Sequence, residues 1–292
     1  MQSQRFGMEL EFTGITRQQA TDVVASILGG PTGAFNARDQ IGRKWRLAHD
    51  SSIRAEKKQG GRWVPADADY KVELVTPILS YSDIPLLQEV VRALRGAGAK
   101  VNERCGLHVH IDAANHDAKT VRNLINIFAS REDMLYQSLQ VNANRLDYCK
   151  KVKPTIVTDM NGTKPKDLEG VGAIWYKGYR PAERTKHYSQ TRYHGLNLHA
   201  LWDKGTIEFR MFNSTMHAGE VKAYIQLALA MSHQAITQKS ARPVKPCAEN
   251  PKYTFRCWLL RLGMIGEEFE TARYHLLKNL PGNAAWRHPA AI

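Results

Sequence analysis

The sequence predicts an α+β domain in which an antiparallel sheet carries its chemistry on one face and packs helices on the other. Three observations point there. Four short segments alternate polar and apolar residues, the stretches between them repeat apolar residues at helical spacing, and the chain has no internal repeat. With 292 residues it can bury a large core, and we read one catalytic domain over residues 1–242 followed by a C-terminal helical extension over 243–292.

The elements follow in order. A strand over Gly7-Met8-Glu9-Leu10-Glu11-Phe12 sends Met8, Leu10 and Phe12 to one face and both glutamates to the other. A helix over Arg17 to Leu28 ends at Gly29-Gly30-Pro31, where glycine and proline stop helices for backbone reasons. In Tyr70 to Pro77, Glu73 lies opposite Val72 and Leu74, and Pro77 closes the strand. A second helix runs from about Ser82, as N-cap, to Gly96. The strand Cys105 to Asp112 turns Leu107, Val109 and Ile111 inward and leaves His108, His110 and Asp112 on the polar face. Apolar stripes predict helices over Ala118 to Leu139 and Ala218 to Thr237. Between these two, Gly205 to Phe212 puts Ile207, Phe209 and Met211 on one face and Glu208 and Arg210 on the other.

From 142 to 198 the periodicity dissolves, which predicts a basic, loop-rich insertion contributing active-site loops. Up to Gln190 it carries ten Lys and Arg against five Asp and Glu, interleaved with Tyr148, Trp175, Tyr176, Tyr179 and Tyr188. Such a segment covers nucleotide phosphates, grips a polyanionic acceptor, or is a solvated loop. After Pro243 two short helices are expected, Thr254 to Leu262 and Glu267 to Leu277, with no chemical role assigned.

The formal charge of +13, from 41 Lys and Arg against 28 Asp and Glu, favours acidic partners: phosphates, nucleotides, nucleic acid or a polyanionic peptide. A basic surface that binds nothing is the equal alternative. The four scattered cysteines form no CxxC pair and are expected as reduced thiols. No run of about 18 apolar residues could span a bilayer, so no membrane partner is expected. The start Met1-Gln2-Ser3-Gln4-Arg5 runs straight into the first strand without the regions of a signal peptide, which makes cytoplasmic residence the expectation.

One Glu-x-Glu strand means little, because a half-solvated strand alternates charges at no functional cost. Four strands that each add a carboxylate, an imidazole or a guanidinium, with Lys71 as their one lysine, are not ordinary solvent decoration in so basic a chain. Clustered carboxylates need cations, and magnesium takes oxygen ligands while leaving positions for phosphate oxygens. A histidine among them suits magnesium or manganese. An arginine two residues from a ligand glutamate reaches a phosphoryl group in transfer. Two other readings stay open. His108-x-His110 followed by Asp112 could bind zinc in a metal-dependent hydrolase, and the charge admits a nucleic-acid-binding protein on the same fold.

The four strand motifs, with the Cys105-Gly106-Leu107-His108-Val109-His110 and Thr206-Ile207-Glu208-Phe209-Arg210 runs the most specific, resemble in type and order those of the amidoligase family. That family lies among the glutamine-synthetase-like and glutamate–cysteine ligase-like carboxylate–amine ligases. The resemblance implies a glutamine-synthetase-like curved antiparallel sheet. It implies that Glu9, Glu11, Glu73, His108 and Glu208 hold two magnesium ions under the phosphates of ATP, and that Arg210 contacts the γ-phosphate. His110 would orient a ligand or bind substrate, and Arg192 and Asn197, before the last strand, would contact nucleotide or substrate. Asp50, in His49-Asp50-Ser51-Ser52-Ile53, would grip the incoming amine and serve as its base, with a plain turn residue as the alternative. The implied reaction is ATP-dependent joining of a carboxylate to an amine through an acyl phosphate.

Overall fold

The computed structural model describes residues 1–288; residues 289–292, the end of the expected C-terminal extension, lie outside the described residues. In chain order the elements are β1 (Phe6–Phe12), α1 (Arg17–Leu28), β2 (Thr32–Gly33), β3 (Asn36–Arg38), β4 (Lys44–Ala48), β5 (Glu56–Gln59), β6 (Arg62–Pro65), β7 (Val72–Val75) and α2 (Ile84–Gly96). There follow β8 (Gly106–Asp112), α3 (Ala118–Leu139), α4 (Pro154–Thr163), α5 (Leu168–Trp175), β9 (Leu196–Asn197) and α6 (His199–Asp203). The last are β10 (Thr206–Asn213), α7 (Ala218–Thr237), α8 (Pro251–Arg261) and α9 (Glu270–Leu277).

Eight strands form one sheet in the order β2-β3-β4-β7-β1-β8-β10-β9, antiparallel at every pair, and β5 and β6 form a separate hairpin. The fold is therefore a mixed α+β one. The sheet is open, ending in β2 and β9, and is neither closed nor curled, where the resemblance implied a curved one. Registers Met8↔Val109↔Phe209 and Leu10↔Leu107 line up one apolar face, and its side chains are almost wholly removed from water. Each large apolar side chain so buried contributes ~1.5–3 kcal/mol. Helices α1, α2, α3 and α7 cover that face and leave the opposite face to the polar residues.

Local chemistry sets the helix ends. Thr16 caps α1 and trades bonds with Gln19, and Gly29, at φ 68°, ends it in the left-handed conformation. Asp117 and Thr120 do the same at the start of α3. The second expected helix begins two residues later than Ser82, at Ile84, because a 3-10 turn over Tyr81–Asp83 precedes it.

Two expectations are corrected. The insertion is less loop-rich than its composition suggested, since α4 and α5 lie within it and pack on α3. Pro154 starts α4, Asp167 caps α5 through Gly170, and Val171, Ile174 and Trp175 are buried. Secondly, β10 contains a bulge: Phe209 faces Val109, but Phe212 faces Leu107. The extra residue resets the alternation, so Phe212, not Met211, takes the next place on the core face, where its ring stacks on Tyr224 at 4.5 Å.

Arg145, expected among the cations of a lid, is buried and holds this bulge. Its guanidinium donates to the carbonyls of Phe212 (2.6 Å) and Arg210 (2.9 Å). It lies so close over Gly106 that a Cβ there would sit 2.5 Å from a guanidinium nitrogen, which is why β8 opens with glycine. The C-terminal helices join the same core: Phe255, Trp258, Leu259 and Leu276 are buried in it, and Ser138 donates to the Leu276 carbonyl. The first of them starts earlier than expected because Asn250 caps it and Pro251 occupies its first position. Among the described residues no helix is long and apolar enough to cross a membrane.

Replacing Arg145 by Met keeps the bulk and strands two buried carbonyls, each worth ~1–3 kcal/mol when left unpaired, so Arg145→Met should lower stability by about 2–4 kcal/mol. Urea unfolding reads this directly, and a midpoint equal to wild type would mean that the bulge has another support.

Candidate active site

The polar face is assembled by register. Glu11 on β1 stands opposite Glu73 on β7, Glu9 opposite His108 on β8, and His110 opposite Glu208 on β10, which in turn faces Asn197 on β9. Cross-strand partners share a face, so seven residues from 9 to 208 meet in one patch. His108 Nδ1 lies 3.1 Å from Glu9 and 3.5 Å from Glu208, and its Nε2 lies 3.9 Å from Glu11. His110 Nε2 lies 3.4 Å from Glu9 and 3.8 Å from Glu208, while its Nδ1 lies 3.0 Å from the Thr206 hydroxyl.

Two sets of donor atoms can hold a metal ion, Glu9–His108–Glu208 and Glu11–Glu73–His108, each within 4.8 Å. A neutral imidazole has one lone pair, so His108 can ligate in one set only and keeps its proton on the other nitrogen. It is neutral: burial and the nearby Arg210 push it down to about 4 despite the carboxylates beside it. Its contacts with Glu9 and Glu208 are therefore hydrogen-bonding and ligand geometry rather than ion pairs.

The carboxylates divide by their neighbours. Burial alone would raise Glu208, but the Arg210 guanidinium bonded to it brings it down to about 2. Glu9 is likewise buried, and His110, His108 and Lys204 hold it well below the usual range. Glu11 is pushed up to about 7 by burial and by Asp50. Glu73 is raised well above its ordinary value by burial and by Glu9, Glu11 and Asp50. Burial, and after it the like charges close by, raise Glu11 and Glu73, and a divalent ion there would relieve the repulsion at both. His110 Nε2 and Arg210 Nε are buried without a hydrogen-bond partner, and they too leave ligand-binding capacity at the patch. Oxygen donors with a single imidazole between the two sets suit a hard divalent cation.

A match to known sequences coincides with these strands. The profile of a family described as "Putative amidoligase enzyme" matches residues 2–232. The chain belongs to this amidoligase family. No curated protein matches it. The matched stretch contains every residue of the patch and leaves α8 and α9 outside.

The other expected residues lie around the patch in different ways. A cavity of about 500 Å³ at one end is lined by Glu11, His108 and Arg210 together with Asp50 and Arg192. Asp50 accepts from the Ser52 backbone (2.7 Å), so it makes the turn and also faces the carboxylates. Asn197 is buried and committed, donating to Glu208 (2.6 Å) and accepting from the His199 backbone (2.8 Å); it orients a carboxylate rather than facing a cavity. Asp112 is drawn to Arg5 at the strand end and is not among the carboxylates gathered around His108. A second, smaller cavity of about 180 Å³ at the opposite end is lined by His110, Lys204 and Thr206 with Phe6, Pro77 and Ile78.

Sequence reasoning missed Lys204, Arg104 and the role of Arg145. Lys204, in the turn before β10, reaches Glu9 at 3.0 Å. Its position one residue before Gly205 was a signal, since a side chain at a strand entrance can fold over the face the strand presents. Of the insertion's other cations, Lys151, Lys177, Arg184 and Lys186 pair with Asp133, Asp159, Glu169 and Glu183 on the surface.

The raised carboxyls make metal-free stability depend on pH. A group whose folded value is raised adds stability below its unfolded value, here 4.5, and loses it as pH climbs through the folded value, about 7 for Glu11. Glu208 is depressed, and its contribution, lost only as pH falls towards about 2, is constant across that window. The thermal midpoint of the metal-free chain should fall from about pH 4.5 to about pH 7 relative to Glu11→Gln, and magnesium should cancel the difference. Parallel pH profiles for wild type and Glu11→Gln would show Glu11 to be ionised throughout.

Proposed function

We propose that this amidoligase is an ATP-dependent ligase that joins a carboxylic acid to an amine through an acyl phosphate. The observation that carries this reading is the carboxylate–imidazole patch with Arg210 against it and one cavity at each end. Phosphoryl transfer needs attacking and leaving oxygens roughly in line on opposite sides of phosphorus. A sheet face with a separate opening at each end meets that requirement.

The smaller cavity suits the nucleotide: Pro77 and the exposed Ile78 offer an apolar edge for a base, and Lys204 and His110 lie towards the patch. The larger, polar cavity suits acid and amine. Glu11 and Glu73 would hold one divalent ion and Glu9 and Glu208 another, with His108 completing one of the two sets. Magnesium bound there would neutralise phosphate oxygens and draw charge from the phosphorus.

The acid's carboxylate oxygen attacks the γ-phosphorus, the bond to the bridging oxygen breaks, and ADP leaves. Arg210, fixed by Glu208 and with its Nε still free, stabilises the equatorial oxygens of the group in transfer. The amine nitrogen then attacks the acyl carbon, phosphate leaves, and Asp50 at the rim takes the amine's proton. Asn197 keeps Glu208 aimed, and Arg145 keeps the Arg210 segment in place. A zinc hydrolase built on His108, His110 and Asp112 is disfavoured by the bond between Asp112 and Arg5.

Purified protein with ATP and magnesium should release ADP only when an acid and an amine are both supplied, with the amide visible by mass spectrometry. Glu208→Gln should lower turnover about a hundredfold or more, as loss of a group supporting transition-state charge does. Arg210→Lys keeps charge and loses the planar fork, so turnover should drop about tenfold while nucleotide affinity stays close to wild type. ADP release indifferent to any acid, or full activity in both variants, would defeat the reading.

A further inference from the structure

The larger cavity contains more positive charge than its own carboxylates answer. Four arginines line it: Arg104, Arg145, Arg192 and Arg210. Arg210 is bonded to Glu208, and Arg145 is spent on the carbonyls of Arg210 and Phe212. Arg192 makes one long bond, 3.3 Å to the His187 carbonyl, and lies over the rings of Tyr188 (5.4 Å) and Tyr193 (6.0 Å). Arg104 has no side-chain hydrogen bond or ion pair among the described residues, and neither does Arg192 have a carboxylate. The acidic groups lining the cavity are Glu11 and Asp50, already bonded to the backbone of Gly106 and Ser52.

We propose that the acid activated by this site is a dianion, with its reacting carboxylate towards Glu11, His108 and Arg210 and a second anionic group, carboxylate or phosphate, held by Arg192 and Arg104. The proposal rests on the ligase reading for which end reacts, and it assigns Arg192 to the acid instead of the nucleotide. Cation–π contact with two tyrosine rings limits the freedom of the Arg192 fork before any ligand arrives, so less entropy is lost when it grips a planar carboxylate or a phosphate. A monoacid would leave the half-buried Arg192 and the solvent-facing Arg104 without an anionic partner. A cavity of about 500 Å³ has room for an acid that spans from the patch to this wall.

The test is calorimetric titration of the full chain with magnesium, using straight-chain dicarboxylates from malonate to suberate, monocarboxylates of equal length, and the corresponding phosphonocarboxylates. At least one dianion should bind about tenfold more tightly than its monoacid, as a charge-assisted fork contact provides. The carboxylate and phosphonate arms show which anion is preferred. In Arg192→Gln the preference should shrink to within about threefold, Arg104→Gln should reduce it, and affinity for a non-hydrolysable ATP analogue should stay unchanged in both. Thermal melts confirm that the variants fold, and Arg192→Lys, which keeps charge without the fork, should fall between. The proposal is overturned if no dianion outbinds its monoacid, or if Arg192→Gln weakens the nucleotide analogue and leaves the preference intact. A dianion preference without acid-dependent ADP release would sink the ligase reading and leave the anion subsite standing.

Discussion

The hold of Arg145 on the β10 bulge is the contact on which the rest of the site depends. Its guanidinium reaches the carbonyls of Arg210 and Phe212 and thereby fixes where an extra residue enters the strand. That choice sends Phe212 into the core against Tyr224 while Arg210 stays on the polar face beside Glu208. The same side chain closes over Gly106, whose backbone N–H donates to Glu11 at 2.6 Å. One buried cation thus links the core parity of β10, the aim of Arg210 and the position of a carboxylate on β1. Its burial is costly, and the carbonyls it satisfies are the compensation.

The sheet stores a repulsion that a bound cation would relieve. Four glutamates from three strands lie on one poorly solvated face, and two of them, Glu11 and Glu73, are held protonated more readily than free carboxyls. Apolar packing on the opposite face supplies the stability that lets this face persist: Met8, Leu10, Val109 and Phe209 are removed from water on the same strands that carry Glu9, His108 and Glu208. Such a division is typical of sites whose charges are arranged for a bound cation rather than for each other.

Charge elsewhere follows a different logic. Much of the insertion's basicity is answered locally, by Asp133, Asp159, Glu169 and Glu183, at exposed pairs that contribute little to stability. What the insertion gives the site is instead the buried Arg145 at its start and the Tyr188–Arg192–Tyr193 group near its end. Between them α4 and α5 act as a spacer packed on α3. The C-terminal helices, outside the family match, brace α7 and α3 from behind through Glu220, Lys278 and Ser138.

The sequence by itself determined the faces and the helix ends, because both arise from short-range rules. A period of two put Glu9 and Glu11 on one side and Met8 and Leu10 on the other, and the Gly29-Gly30-Pro31 stop directly follows the helix it ends. It did not mark α4 and α5, where Gly162, Gly170 and Gly172 blur the helical stripe, or the two- and three-residue strands β2 and β3, too short for alternation to register. Only the tertiary structure decided which strand lies beside which, and so that Glu11 meets Glu73 and Glu9 meets His108. It also decided that Asn197 serves Glu208, that Lys204 reaches Glu9, and that Arg145 belongs to the core and not to a lid. The physical reason is range: alternation and capping are fixed by neighbours in the chain, whereas register, a bulge and the partner of a long cationic side chain are fixed by whichever distant surface the packing brings within reach.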